Sequence, residues 1–383
     1  MTFHSVRKRR TEELGPGGEL TLPVNVFEAL LLDLKERGWN SISCQELFDH
    51  LDRQAPLPSN PILLTFDDGY LDNFTIAAPI MKKYGFRGTI FVATDFIHQE
   101  DVVRPSLEEH DNPPERGWLS PAEMQKLESD GVFEIQSHTA RHSRLPISGK
   151  IIGFHRPKAR CWWLERNQAT LLELSLEHHG GTSELIPWGT PVYESEWSLP
   201  AQAIHPSQGT AESLQNYVRE NGGSTFFEQP DWETCLRDVA SKNAGDLIPE
   251  TPEARQERIS QELQESKNKL EDILNHPVPF LAWPGGGCSP ETVELAISSA
   301  GYVATFGTNR AFSGVPRDLR TIPRAYFRQT YRGRFHNKLR VNLCRSIIEW
   351  EAGQISGYWT GFWTRRLMSL FADSKERNSP KSG

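Results

Sequence analysis

The chain has 383 residues, 37% of them hydrophobic, enough to bury the core of one large α/β barrel or of two ordinary domains, so an ordered protein is expected. A formal net charge of −8 weighs against nucleic acid as a partner, because phosphate contacts need a basic face; a neutral or cationic small substrate suits the balance better. The cysteines, Cys44, Cys161, Cys235, Cys288 and Cys344, are scattered and contain no C-x-x-C pair, so they predict reduced, packed thiols and no cysteine-ligated zinc.

The opening "MTFHSVRKRRTEELG" has no apolar core segment and predicts a cytoplasmic start without signal peptide or anchor. From Val26, "VFEALLLDLKERG" spaces its apolar residues as a helix does and stops at Gly38. "PILLTF" (61–66) is an unbroken apolar run between turn residues, the pattern of a strand buried on both faces of a parallel sheet. "NFTIAAPIMKKYG" predicts a helix ending at Gly85, and "GTIFVAT" the next strand. In "SPAEMQKLESDG", Ser120 is the N-cap, Pro121 the first helical residue and Glu123 the partner in a capping box; "VFEIQSH" follows as a strand. Between 147 and 250 the alternation fails in a stretch rich in Pro, Gly and Trp, which predicts an ordered insertion crossing the mouth of the main domain. It resumes with a helix over 252–275, the strand "PFLAW", a helix from Pro290 to Ala300 and the strand "GYVATFGT".

This order predicts an α/β protein with a mostly parallel sheet, open or closed into a barrel, over 1–146 and 251–335. Residues 147–250 form the insertion and 336–383 a helical tail. The tail segment "ISGYWTGFWTRRLMSLF" is too short to span a bilayer and carries Arg365 and Arg366. Two readings stay open for it: a helix packed on the domain, or peripheral membrane contact.

Two stretches carry chemistry. "LLTFDDGYLDNF" (63–74) sets Asp67 beside Asp68, and adjacent carboxylates are costly to bury unless water or a cation compensates them. "EIQSHTARHSRL" sets His138 and His142 four apart, so that on a helical turn both imidazoles reach one ion. Singly, each pattern has an ordinary explanation: a capped loop turn, or two unconnected histidines. Together they sit at the ends of consecutive parallel strands and converge on one face. One carboxylate and two histidines make a three-ligand set with open metal positions, and the other carboxylate is free to take a proton.

"LLTFDDGY" and "SHTARH" resemble the first two signature motifs of the polysaccharide deacetylases, the NodB-homology carbohydrate esterases. The similarity runs from residue 1 to about 146 and from about 255 to 330. It implies a distorted (β/α) barrel, one divalent metal, zinc in most members, and hydrolysis of acetyl groups from a carbohydrate. Carried over by position, Asp67 matches the catalytic base, and Asp68, His138 and His142 match the metal ligands. "FLAWPGGG" stands in the place of the third motif, Arg-x-Pro-Tyr. Pro284 is kept, Ala282 occupies the arginine position and Gly285 the tyrosine position, whose backbone N–H serves the oxyanion in the family. The missing arginine normally braces the catalytic aspartate, and Arg324 in "TIPRAY" is the candidate replacement. No Leu-x-His motif follows Gly301 to supply a general acid. "MTFHSV" resembles instead the N-terminal strand of the circularly permuted branch that includes poly-N-acetylglucosamine deacetylases, which makes His4 the candidate acid; the ordinary alternative is a packed strand histidine.

Tyr70, Trp283 and Pro284 beside the motifs, and Arg156 and Arg160 in "HRPKARCWW", are the candidate substrate-binding residues. Within the insertion, Trp162, Trp163, Trp188, Trp197 and Trp232 suit either sugar stacking or a small core of their own. The resemblance thus implies metal-dependent removal of N-acetyl groups from an N-acetylhexosamine-containing glycan or glycan precursor, in cell-envelope glycan biosynthesis. Two alternatives stay open: hydrolysis of a non-sugar C–N bond on the same barrel, and an inactive barrel that binds glycans.

Overall fold

The computed structural model describes residues 1–8, 20–157, 164, 186–308, 320–325, 337–354, 356–357, 359–364 and 366. They divide into two compact units, one of Met1–His138, Lys267–Gly286 and Gly301–Gly383, the other of Thr139–Ser266 and Gly287–Ala300.

The first unit is built on a seven-stranded parallel sheet. In spatial order its strands are β1 (Thr2–Phe3), β6 (Thr65–Asp68), β7 (Gly88–Val92), β8 (Phe133–Ser137), β13 (Phe280–Ala282), β14 (Ala304–Gly307) and β15 (Thr321–Pro323). Two short parallel pairs accompany it, β2 (Ser5–Arg7) with β3 (Thr21–Pro23) and β4 (Asn40–Ser41) with β5 (Pro61–Ile62). The Thr2 N–H donates to the Ala325 carbonyl at 2.8 Å, which ties the first edge strand to the chain just past the last. The sheet curls as the predicted barrel requires.

Alternation along each strand sorts side chains onto two faces. Phe66 points outward into a cluster with Phe3, Phe27 and Phe133, where the helices Val24–Glu36, Ala78–Tyr84 and Pro121–Ser129 cover the sheet. Phe91, Phe280, Ala282 and Phe306 form a second cluster on the other face. Apolar cover on both faces is why the strand sequences are continuous runs rather than alternating ones. The helix Val24–Glu36 buries Val26, Phe27, Leu30, Leu31 and Leu34 along one stripe. The predicted capping box forms: Ser120 Oγ accepts from Glu123 N–H at 3.1 Å, and Glu123 Oε2 accepts from Ser120 N–H at 3.0 Å. In the helix Asn337–Glu351, Val341, Cys344 and Ile348 join the outer cluster, and Arg345 reaches Asp33 at 3.2 Å.

One strand departs from expectation in a way that matters. "PILLTF" is split: Pro61–Ile62 pairs with β4, while β6 starts at Thr65 and runs through Asp68. Asp67 and Asp68 are therefore strand residues in register with Phe91 and Val92, not part of a turn beyond the strand.

The second unit has its own core. Its long antiparallel hairpin, β9 (Arg144–Phe154) with β10 (Pro191–Trp197), and the pair β11 (Ile204–Pro206) with β12 (Leu247–Pro249) stand beside the helices Gln208–Glu220 and Trp232–Lys242. Phe154, Leu214, Val218, Phe226 and Leu236 are buried together, with Trp188 and Trp232 packed against them. Lys158, Arg160, Cys161, Trp162 and Trp163 lie outside the described residues. The other four cysteines are free thiols. Among the described residues no helix is long and apolar enough to cross a membrane, although Trp359 and Trp363 near the C-terminus are each 55% exposed.

Gly88 starts β7 where a Cβ would fall 2.8 Å from the Leu64 carbonyl oxygen and 3.0 Å from the Phe133 ring. Gly88→Ala is expected to destabilise the protein by about 1–3 kcal/mol through overpacking, read as a lower urea midpoint with an unchanged slope.

Candidate active site

Alternation within β6 separates the two acids. Asp67 shares a face with Thr65, and both meet Arg324, which follows β15. Arg324 Nη1 donates to Asp67 Oδ1 at 2.6 Å and to Thr65 Oγ1 at 3.2 Å, while Nη2 donates to Asp67 Oδ2 at 2.9 Å. Its guanidinium carbon sits 5.0 Å from the centre of the Phe91 ring, and both partners are buried. Burial alone would raise the Asp67 pKa, but the Arg324 charge, helped by His138 and His4, outweighs it and holds the pKa below its ordinary value. The carboxylate stays ionised. The arginine absent from position 282 is thus replaced, geometrically, from the far edge of the sheet.

Asp68 is turned away by a left-handed backbone, φ 78°, continued at Gly69 with φ 80°. Facing it, His138 directly follows β8. Its Nδ1–H donates to the Ala282 carbonyl at 2.8 Å, which leaves the Nε2 lone pair directed at Asp68, 3.5 Å from Oδ1. Burial lowers the His138 pKa against the pull of Asp67 and Asp68 and favours the neutral, ligating imidazole. A 3.5 Å separation is long for a hydrogen bond. It is close to the ~3.3 Å expected between two donors on one tetrahedral ion with bonds of about 2.0–2.1 Å.

Asp68, His138 and His142 each offer one ligand atom, all within 4.8 Å of one another, and all three residues are buried. The stretch from His138 to His142 is not the helical turn its spacing suggested: Thr139 and His142 are left-handed, with φ 64° and 47°. Two such residues reverse the chain sharply enough to bring the second imidazole back to the first. One carboxylate oxygen and two imidazole nitrogens suit zinc or another transition metal better than calcium or magnesium, and three ligands leave coordination positions open.

The other candidate residues are distributed as follows. β1 lies parallel to β6 with Phe3 opposite Phe66, so the chain carries His4 alongside Asp67. The His4 carbonyl accepts from Asn73 Nδ2 at 2.7 Å. The buried Asp72 carboxylate receives Ser5 Oγ–H at 2.6 Å, Val6 N–H at 3.0 Å and Arg7 Nε–H at 2.7 Å. Tyr70 stacks on Trp118 at 4.7 Å. Trp283 and Pro284 are buried, and among the described residues the Trp283 indole N–H finds no acceptor. Gly285 takes φ 56°, and at Gly286, with φ 74°, a Cβ would fall 2.0 Å from Thr308 Oγ1, so both positions favour glycine. In the second unit, the Arg156 guanidinium lies 5.2 Å from the centre of the Trp232 ring, which packs against that unit's core. Asp72, Asn73 and the Ala282 carbonyl are supports that sequence reasoning did not single out. The offset of the first two from Asp67–Asp68 was a usable signal, whereas a backbone acceptor leaves none.

The family model for polysaccharide deacetylases matches residues 54–170, a span that contains both the aspartate pair and the histidine pair. The Bacillus subtilis (strain 168) protein described as "Putative polysaccharide deacetylase YxkH" is 30% identical over 132 residues, which covers 34% of this chain and 41% of that protein's length. The solved structure of a de-N-acetylase from Aggregatibacter actinomycetemcomitans superposes with a TM-score of 0.54 at 15% identity, covering 89% of this chain and 98% of that one, and it shares the fold. Both signature motifs lie inside the matched span, over which the chain is similar to the polysaccharide deacetylases, and it spans less than half the length of the curated relative it matches.

Proposed function

We propose that this protein is a metal-dependent hydrolase that removes N-acetyl groups from an N-acetylhexosamine-containing glycan or glycan precursor of the cell envelope. The observation that carries the reading is the pairing of a buried, ionised Asp67 with the adjacent cluster of Asp68, His138 and His142. The chemistry a divalent cation supplies when held by those three ligands is Lewis acidity, which polarises an acyl carbonyl and acidifies water. Asp67, kept charged by Arg324, accepts the proton of the attacking water. The Gly285 N–H, at the turn where the family places its oxyanion donor, faces the developing negative charge. His4, alongside Asp67, then gives a proton to the departing sugar amine. Acetate and a free amino sugar are the products.

Three expectations separate these roles, with acetate release from N-acetylhexosamine oligomers as the assay. Asp67→Asn should abolish turnover and leave metal content near one equivalent by atomic absorption, whereas Asp68→Asn, His138→Ala and His142→Ala should each lose metal as well. Equal metal loss in Asp67→Asn would contradict the division. Arg324→Met should cut kcat by more than tenfold at full metal occupancy and cost about 3–5 kcal/mol of stability, because it strands a buried carboxylate. His4→Ala should keep fold and metal and lower kcat by roughly two to four orders of magnitude, less for substrates with good leaving groups. Near wild-type kcat on an amide substrate would remove His4 from the mechanism.

A further inference from the structure

We infer that Trp197 is a positioning residue for His142, and that Gly287 is a glycine because Trp197 must lie against it. This rests on His142 being a metal ligand. Trp197 ends β10, opposite Arg144 on β9. Its ring meets the His142 imidazole edge to face, with centroids 5.2 Å apart and planes at 83°. The Arg144 guanidinium lies 5.2 Å from the Trp197 ring centre, and Arg144 Nε donates to Ser195 Oγ at 3.2 Å. The next residue in each segment is also tied: Ser198 N–H donates to the Ser143 carbonyl at 3.0 Å. Before His142, the Arg141 N–H donates at 3.3 Å to Glu262, a carboxylate that is 1% exposed.

His142 needs this support because its own backbone, at φ 47°, is not one that an unassisted histidine favours. An imidazole already held in its ligating orientation loses less rotamer freedom when an ion arrives. Gly287 carries the complementary signal. A Cβ there would fall 2.6 Å from Trp197 Cδ1 and 2.7 Å from its Cβ and Cγ. Those atoms are the root of the side chain, so relief requires the whole indole to move. Gly287 does not have a positive φ, so contact with Trp197, not backbone freedom, accounts for the glycine.

The test is zinc affinity of the metal-stripped full chain, measured by competition with a chromophoric chelator for wild type, Trp197→Ala, Trp197→Phe, Gly287→Ala and the Trp197→Ala/Gly287→Ala pair. Removing an outer support of a ligating histidine weakens binding by about 10–100-fold. That loss is expected for Trp197→Ala and for Gly287→Ala, with Trp197→Phe closer to wild type. In the double variant, Gly287→Ala should add almost nothing, because no ring remains for it to displace. Melting of the metal-free forms reports packing separately, and Trp197→Phe keeps the test open if truncation unfolds the second unit. The inference is overturned if the single variants bind zinc like wild type, or if the two losses add in full. Failure of the wild-type chain to bind zinc would instead overturn the ligand assignment and this inference with it.

Discussion

The buried ion pair between Asp67 and Arg324 is the constraint around which the first unit is organised. A carboxylate taken out of water in mid-sheet would protonate unless an opposite charge met it with good geometry. Here both oxygens of Asp67 are engaged by the two terminal nitrogens of one guanidinium, which also donates to Thr65. The partner residues are far apart in sequence, so the pair forms only when the last strand of the sheet has come round to the first two. Formation of the charged site and closure of the sheet are therefore one event, and the Thr2–Ala325 backbone bond lies at the same junction.

The same economy explains the altered third motif. In "FLAWPGGG" the side chains that the resemblance led one to expect are absent, but what the site requires from this segment is largely backbone. The Ala282 carbonyl orients His138, which an alanine does as well as an arginine. Gly285 and Gly286 both have left-handed backbones, φ 56° and 74°, and Gly286 has no room for a side chain beside Thr308. The lost bracing charge is supplied from beyond β15. The segment keeps a backbone contact to His138, while a guanidinium that follows β15 meets Asp67.

Legibility in the sequence followed how local each determinant is. The order of strands and helices, the capping box at Ser120 and Glu123, and the pairing of Asp68 with the two histidines depend on periodicity and short spacing, and all could be seen in the chain. Arg324 could be suspected only because the family's arginine was missing, since nothing around "TIPRAY" announces a partner more than two hundred residues away. The conformation of 138–142 was misread as a helical turn because i, i+4 spacing does not distinguish a helix from a loop reversed by left-handed residues. The insertion carries the fewest local signals. Its aromatic residues carry no period, and Trp188 and Trp232 proved to pack with that unit's own core, whereas Trp197 lies on a candidate ligand.

Backbone strain marks the site as clearly as charge does. Six described residues other than glycine have positive φ, and Asp68, Thr139 and His142 are three of them. Such conformations cost of order 1–3 kcal/mol each and persist only where the surroundings over-determine them. At Asp68 the surroundings are the strand register with Val92 and the close approach of Gly69 to that valine. At His142 they are the bonds that Ser143 and Arg141 make on either side. Asp68 and His142 each offer a candidate ligand atom, and Thr139 lies between the two histidines of the cluster. An arrangement held in advance by the fold is one that a cation binding at this candidate site would not have to impose, which is preorganisation in physical terms.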